Sequence, residues 1–150
     1  INPLGQPRVT AEGPAWARVN GDASLGMIGS TFAMQQAIRK ATASGIGFAG
    51  LCNSCHFGAA GCYASLAADE GMIGIAMCND TPTVTVPGAR GPVLGSNPIA
   101  YAVPAGEQLV LLDIATSTVA GGKVFSAAAL GESIPEGWIV DEQGRPGTDP

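Results

Sequence analysis

Three thiols and one imidazole crowd into a single short stretch of this chain. Cys52, Cys55, His56 and Cys62 all lie within LCNSCHFGAAGCY, and His56 is the sole histidine among 150 residues. An unperturbed imidazole titrates near pH 6.5, so it exchanges a proton near neutrality with little tuning. Thiolates and imidazoles are also zinc ligands, and C-x-x-C-H is the attachment pattern of a c-type haem. Proton transfer, zinc binding and haem attachment are therefore the chemistries open to this stretch. Haem attachment needs two thiols for the vinyl groups and an axial histidine, and the spacing fits. It also accompanies export, and nothing in the residues present directs export. Zinc would find four N/S ligands, but such ligands normally come from two knuckles across a longer loop, whereas these share one short stretch. In the plainest reading Cys52 and Cys62 are small buried residues and Cys55 fills a loop position. That reading assigns no metal to the chain, and a metal- or haem-binding module is the rival from another class.

Just upstream, Gly45-Ile-Gly47-Phe-Ala-Gly50 matches G-x-G-x-x-G. A dinucleotide fingerprint follows a strand and opens a helix, so that the helix N-terminus faces the pyrophosphate. Here the hydrophobic spacing predicts a helix before the glycines and a strand after them. The acidic pair Asp69-Glu70 falls before the next strand instead of after it. Gly45 is expected to cap a helix C-terminus, and Gly47 and Gly50 to permit close packing.

The elements that must position these residues follow from periodicity and punctuation. A strand is expected near Ala15–Val19, a turn at Asn20-Gly21-Asp22, and a helix from Ser24 to Ser44 on the spacing of Leu25, Ile28, Phe32, Ala37 and Ile38. Short buried strands are expected at Ile46–Leu51 and Met72–Met77, with a small-residue helix Ala60–Ala68 between them. A long Pro/Gly-rich loop, Thr81–Pro98, is of the length that usually serves function. Strands Ile99–Val103 and Leu109–Ile114 flank the turn Pro104-Ala-Gly-Glu. A helix from about Ser117 to Leu130 precedes a polar tail. Helices interleaved with short strands, one pair in a hairpin, predict a mixed α/β fold whose sheet is not purely parallel.

Composition sets the outer bounds. Hydrophobic residues make up 46 % and charged ones 13 %, about half the usual charged share, so part of the surface is expected to be covered by something else. A net charge of −5 offers no basic stripe for nucleic acid, and no apolar run approaches the ~20 residues that span a bilayer. Neither nucleic acid nor membrane is expected as a partner. Four clustered cysteines do not make a disulfide scaffold, so a reduced, cytoplasmic setting is the default.

From Asn53-Ser-Cys-His56-Phe-Gly-Ala-Ala-Gly-Cys-Tyr63 onward the chain resembles the malate/L-lactate dehydrogenase family, NAD(P)-dependent oxidoreductases without a Rossmann domain. The likeness continues through Gly71-Met-Ile-Gly-Ile-Ala-Met-Cys-Asn79, Pro92-Val-Leu-Gly-Ser-Asn-Pro98, Asp113-Ile-Ala-Thr-Ser117 and Gly122-Lys123. It closes with Ile134-Pro-x-Gly-Trp138 and Gly144-x-Pro-x-Thr-Asp-Pro150. Cys55 and Cys62 stand where the family pattern more often carries Asn and Tyr, and Cys52 where it carries a basic residue. That departure makes C-x-x-C-H look accidental.

The resemblance implies a mixed, largely antiparallel sheet flanked by helices, in a non-Rossmann NAD(P)-binding fold. It implies that residues 1–150 are the central cofactor-binding region of a larger oxidoreductase. An N-terminal helical segment with a Ser-His-Gly motif and a further C-terminal segment would then lie outside this sequence, which keeps an inactive fragment as a further alternative. Implied chemistry is hydride transfer between NAD or NADP and a small 2-hydroxy acid (malate, lactate or ureidoglycolate-like) or its 2-keto or imino counterpart, in a homodimer. His56 falls at the family's catalytic position. Asn79, Asp80, Asp113, Ile114, Ala115, Thr116 and Ser117 fall at cofactor contacts, and Asn97 and Ser54 at substrate contacts. Asp80 departs from the usual Ser or Thr, and an acid there repels phosphate. Thr116 or Ser117 is also expected to cap the helix that follows, and Lys123 to be solvated.

Overall fold

The computed structural model describes every residue from Ile1 to Pro150. The chain forms two compact units, one of Ile1–Ala76 with Ala100–Asp113 and one of Met77–Ile99 with Ile114–Pro150.

In the first unit, β1 (Arg8–Glu12) pairs antiparallel with β2 (Trp16–Asn20), and β2 pairs in parallel with β3 (Phe48–Cys52). Periodicity marks only one strand in this region. β1 escaped it because Pro7, Gly13 and Pro14 break the pattern on both sides, yet Gly13-Pro14 is the hairpin turn itself, closed by the Gly13 N–H on the Trp16 carbonyl at 2.9 Å. α1 (Gly26–Ser44) is the crossover between the parallel strands. Gly45 ends it at φ 80° with its N–H on the Ala41 carbonyl, the expected cap. A Cβ on Gly47 would stand 1.9 Å from the Ala37 carbonyl oxygen, so the strand can pass the helix only as glycine. Gly50 differs from expectation, since a Cβ there would touch only the Phe48 ring at an ordinary 3.5 Å.

The inward face of α1 consists of Gly26, Gly29, Ala33 and Lys40, while Leu25 and Ile28 point outward at 42 % and 49 % exposure. Helical periodicity located the helix correctly, but its small residues face in. They let α1 approach the sheet closely, and buried Lys40 pins it by donating to Glu12 Oε2 at 2.9 Å and the Gly13 carbonyl at 2.7 Å.

α2 (Gly61–Asp69) accompanies the sheet of β4 (Gly74–Met77), β5 (Ile99–Ala105) and β6 (Gln108–Ile114), in the order β4-β5-β6. Its core is built from Ala60, Ala64, Ala68, Ala100 and Ala102, with Phe57 and Ala76 against it. Alanines bring backbones together, and a Cβ on Gly74 would stand 2.0 Å from the Ala64 carbonyl oxygen. β5 and β6 are joined through Gly106, at φ 65°, and Glu107, a connection too short for anything but a hairpin. The strands read as buried are largely open. Phe48, Ile73 and Met77 are more than 60 % exposed, and every residue of β6 is exposed. Apolar runs flanked by turns mark strands whose faces are meant to be covered, and this stretch of chain does not itself supply the cover.

In the second unit the long loop is pinned by an isolated antiparallel bridge between Val84 and Leu94. α3 (Gly121–Leu130) begins four residues later than expected. Ala120 is its N-cap residue and makes no side-chain cap, which corrects the capping role given to Thr116 or Ser117. Lys123 is exposed, as expected. The polar tail contains a ribbon, β7 (Ile139–Val140) antiparallel to β8 (Pro146–Gly147). Its turn is organised by the Asp141 carboxylate, which accepts from the Gln143 and Arg145 N–H groups, each at 2.9 Å. No helix is long and apolar enough to cross a membrane. The mixed α/β class holds, with its strands divided among three small sheets.

Candidate functional site

His56 follows the end of β3, beyond the carboxyl ends of the parallel pair β2 and β3, where Asn20 lies opposite Cys52. Loops leaving that edge of parallel strands are where α/β proteins place ligands, because neighbouring loops diverge and a helix N-terminus faces the opening. Here the helix is α1. The loop is built by backbone hydrogen bonds from the Asn20-Gly21-Asp22 turn: Gly21 N–H donates to the Cys52 carbonyl at 2.8 Å, and Ala23 N–H to the Asn53 carbonyl at 2.9 Å. Asn53 adopts φ 51°, a conformation its short polar side chain tolerates, and its Nδ2 donates to Asn20 Oδ1 at 3.0 Å. These contacts turn the chain sharply away from the sheet, and Ser54 and His56 emerge exposed.

The thiols are occupied separately. Cys52 Sγ donates to the Val19 carbonyl and Cys55 Sγ to the Ser24 carbonyl, each at 3.4 Å. Cys62 lies exposed on α2, and no group of three or more His, Cys, Asp or Glu side chains is placed to hold a metal ion. Cys52 too is exposed, so the expectation that Cys52 and Cys62 are buried is corrected. All four cysteines are free. Cys78 lies in the second unit, where burial first and the Asp80 charge second push its thiol upward, keeping it protonated and poorly nucleophilic at neutral pH.

On the far side of His56, Phe57 stacks on Tyr63 with ring centroids 5.3 Å apart, and the Tyr63 hydroxyl donates to the Phe57 carbonyl. Burial pushes the Tyr63 phenol above its ordinary value, with the Cys62 charge adding to this and a bond to Ser30 opposing it. The hydroxyl therefore keeps the proton it donates. The His56 ring takes part in none of the loop's hydrogen bonds, which run through the His56 carbonyl and the neighbouring residues.

Asp113 is the penultimate residue of β6, and its Oδ2 accepts the Gly61 N–H at the first turn of α2, at 2.7 Å. The carboxylate complements the positive helix end, and one of its oxygens already has a structural partner. A Cβ on Gly61 would lie 2.9 Å from that oxygen, so a larger residue would make the carboxylate shift.

In the second unit the candidates form a knot. Asp80 Oδ2 accepts from Ser96 Oγ at 3.1 Å, and Oδ1 from Thr81 N–H at 2.8 Å. Asn97, at φ 39°, accepts the Asp80 N–H on Oδ1 at 3.0 Å. Thr116 donates both N–H, at 2.8 Å, and Oγ1, at 3.0 Å, to the Ser96 carbonyl. Three chain segments are thereby tied together. The Asn97 Nδ2 donors stay outside the knot. Asn79, Ile114 and Ala115 are exposed, and Ser117 Oγ is buried without a partner.

Gly26, Gly29, Tyr63 and Ser96 join the candidate site only in the folded chain. Gly26-x-x-Gly29 carried a usable signal, since two glycines in the first turn of a helix weaken it and call for a packing reason.

The family model described as malate/L-lactate dehydrogenase matches residues 1–150. Malate/(S)-sulfolactate dehydrogenase of Methanothermus fervidus is 43 % identical over 150 residues, all of this chain and 44 % of that protein. Ureidoglycolate dehydrogenase (NAD(+)) of Escherichia coli is 36 % identical over 144 residues, 95 % of this chain and 41 % of that one. The crystal structure of malate dehydrogenase from Entamoeba histolytica superposes with a TM-score of 0.92 at 34 % identity, over 99 % of this chain and 42 % of that one. The chain thus spans less than half the length of these relatives.

Proposed function

Because this chain belongs to the malate/L-lactate dehydrogenase family, we propose that the protein it forms transfers a hydride between NAD or NADP and a small 2-hydroxy acid or its 2-keto or imino counterpart. The supporting observation is His56: an exposed imidazole without a partner of its own, on a backbone held from both sides, beyond the carboxyl ends of a parallel pair. The cofactor, when bound, supplies the hydride acceptor or donor. His56 takes the hydroxyl proton as the 2-hydroxy acid becomes a carbonyl and returns it in the reverse direction. Ser54, exposed two residues earlier, is proposed to donate to the substrate carboxylate in the first unit. In the second, the free Nδ2 of Asn97 is the proposed substrate donor.

The residues proposed for the cofactor fit it unevenly. Ser117 fits best, because its buried hydroxyl lacks a partner that a nucleotide oxygen would supply. Asp80 fits a phosphate poorly, being an acid whose oxygens are already taken by Thr81 and Ser96, so its part is to shape the loop. Thr116 likewise spends its donors on Ser96. Asp113 keeps one oxygen free after capping α2, Ile114 and Ala115 offer exposed backbone groups directly after it in sequence, and Asn79 offers an exposed amide before Asp80. A homodimer in a reduced, cytoplasmic setting completes the reading, supported by the open apolar strands and the four free thiols.

The test is His56→Ala and His56→Asn in the full-length protein. Loss of general acid–base catalysis lowers kcat/KM by about 10²–10⁴-fold, with the melting temperature unchanged. Turnover like wild type would overturn the assignment.

A further inference from the structure

The backbone around His56 carries a second assignment, which rests on the reading of His56 as the proton-transfer group. We propose that Gly26 and Tyr63 are positioning residues that clamp the His56 segment from its two flanks and so set where the imidazole stands.

On the first flank, α1 meets the loop at its first residue. A Cβ on Gly26 would lie 2.3 Å from the carbonyl oxygens of both Cys55 and His56 and 2.6 Å from the His56 carbonyl carbon. Side-chain carbons essentially never approach other atoms within 3.0 Å, so helix or loop would have to retreat. Gly26 does not have a positive φ, and alanine is the better helix former, so only the space explains the glycine. Three residues on, Gly29 is a milder case. Its Cβ would meet Leu51 Cδ2 at 3.2 Å and Ser54 Oγ at 3.3 Å, both ends of side chains that can turn aside.

On the second flank, Tyr63 is 5 % exposed, stacks on Phe57 and donates to the Phe57 carbonyl, one residue beyond His56. Its helix is tied in turn to β6 through the Gly61 N–H on Asp113. Before the imidazole, the loop is held by the Ala23–Asn53 backbone bond and the Cys55 thiol on Ser24. Neither end can drift, so a methyl group inserted at Gly26 displaces the part between, which is Cys55 and His56. Misplacing a reacting group by about 1 Å can cost on the order of 10²-fold in rate.

The experiment compares the full-length wild type, Gly26→Ala, Tyr63→Phe and Gly29→Ala with the same changes in a His56→Ala background, where imidazole is added to raise the residual rate. Tyr63→Phe keeps the ring and its volume, so it tests the clamp even if Gly26→Ala does not fold. Gly26→Ala is expected to lower kcat about 10- to 100-fold, and Tyr63→Phe about 3- to 10-fold, with the cofactor KM within about twofold. Gly29→Ala is expected to stay within about threefold. In the His56→Ala background both positioning changes are expected to cost less than about twofold, because there is no tethered imidazole left to misplace. Equal losses in both backgrounds would mean general damage and overturn the clamp, as would a Tyr63→Phe enzyme with wild-type kcat. Full activity in His56→Ala alone would instead overturn the reading of His56 on which the clamp rests.

Discussion

Around His56 the fixed points are backbone carbonyls pressed against glycines, while around Asn97 they are side-chain oxygens and hydroxyls. In the first unit, Gly26, Gly47 and Gly74 each admit a carbonyl oxygen closer than any side chain would allow, and an alanine core draws α2 onto its sheet. In the second unit, Asp80, Ser96, Asn97 and Thr116 bind one another, and α3 has no buried residue at all. Close packing of small residues is rigid and intolerant of volume. A hydrogen-bond knot loses its geometry when one polar group goes, and this one has a close approach of its own, since a Cβ on Gly95 would lie 2.4 Å from the Asp80 carbonyl oxygen. The first unit's candidate residues are therefore exposed chiefly to added volume, and the second unit's also to the loss of a single polar group.

The sharpest way to break this contrast is to add one methyl group in the first unit. Gly74→Ala or Gly47→Ala is expected to destabilise the protein by about 1–3 kcal/mol, read as a lowered urea midpoint with unchanged slope. A neutral result would mean that the close approaches are not rigid. The counterpart in the second unit is Asp80→Ala, which frees Ser96 and Thr81. It should cost about 1 kcal/mol and speed limited proteolysis between Cys78 and Pro98, leaving the first unit protected. Uniform sensitivity along the chain would defeat the distinction.

A smaller effect concerns acid. Glu12 is held below its ordinary value of 4.5, chiefly by the hydrogen bond and charge of Lys40, with Arg39 adding to both. A carboxylate depressed in the folded state contributes stability above its unfolded value, and that contribution is lost as pH falls through the folded one. Melting temperatures of wild type and Glu12→Gln should differ near neutrality and converge below the ordinary value. A constant difference across that range would assign the effect to packing. Smallest of all is Ser117→Ala, since the hydroxyl has no partner to lose. Stability without cofactor should change by less than about 0.5 kcal/mol, while the Kd for the nicotinamide cofactor rises several-fold. Unaltered cofactor binding would remove Ser117 from the site.

Much of this was legible in the residues. Gly45 as a cap, the reversed order around Gly45-Ile-Gly47-Phe-Ala-Gly50, and the positions of α1, α2, β5 and β6 follow from local rules that act within a few residues. The start of α3 was misplaced because Thr116 and Ser117 have the right chemistry for a cap, but Thr116 is held by Ser96, twenty residues away, as no local rule foresees. β1 was missed because its prolines and glycines read as punctuation when they form the hairpin turn. C-x-x-C-H is a pattern along the chain, whereas coordination needs convergence in space, and Cys52 and Cys55 each turn to a different carbonyl.

The chain's own residues determined which elements form and in what order, and they singled out His56 as the sole imidazole of the chain, because helix periodicity, turn chemistry and residue type are local properties. Only the tertiary structure decided what His56 stands against, which oxygens of Asp80 and Asp113 are spoken for, and that the inward face of α1 is its small one. Those outcomes depend on distances between segments far apart in sequence, and the sub-ångström fit of a carbonyl over a glycine is set by every element that holds the two together.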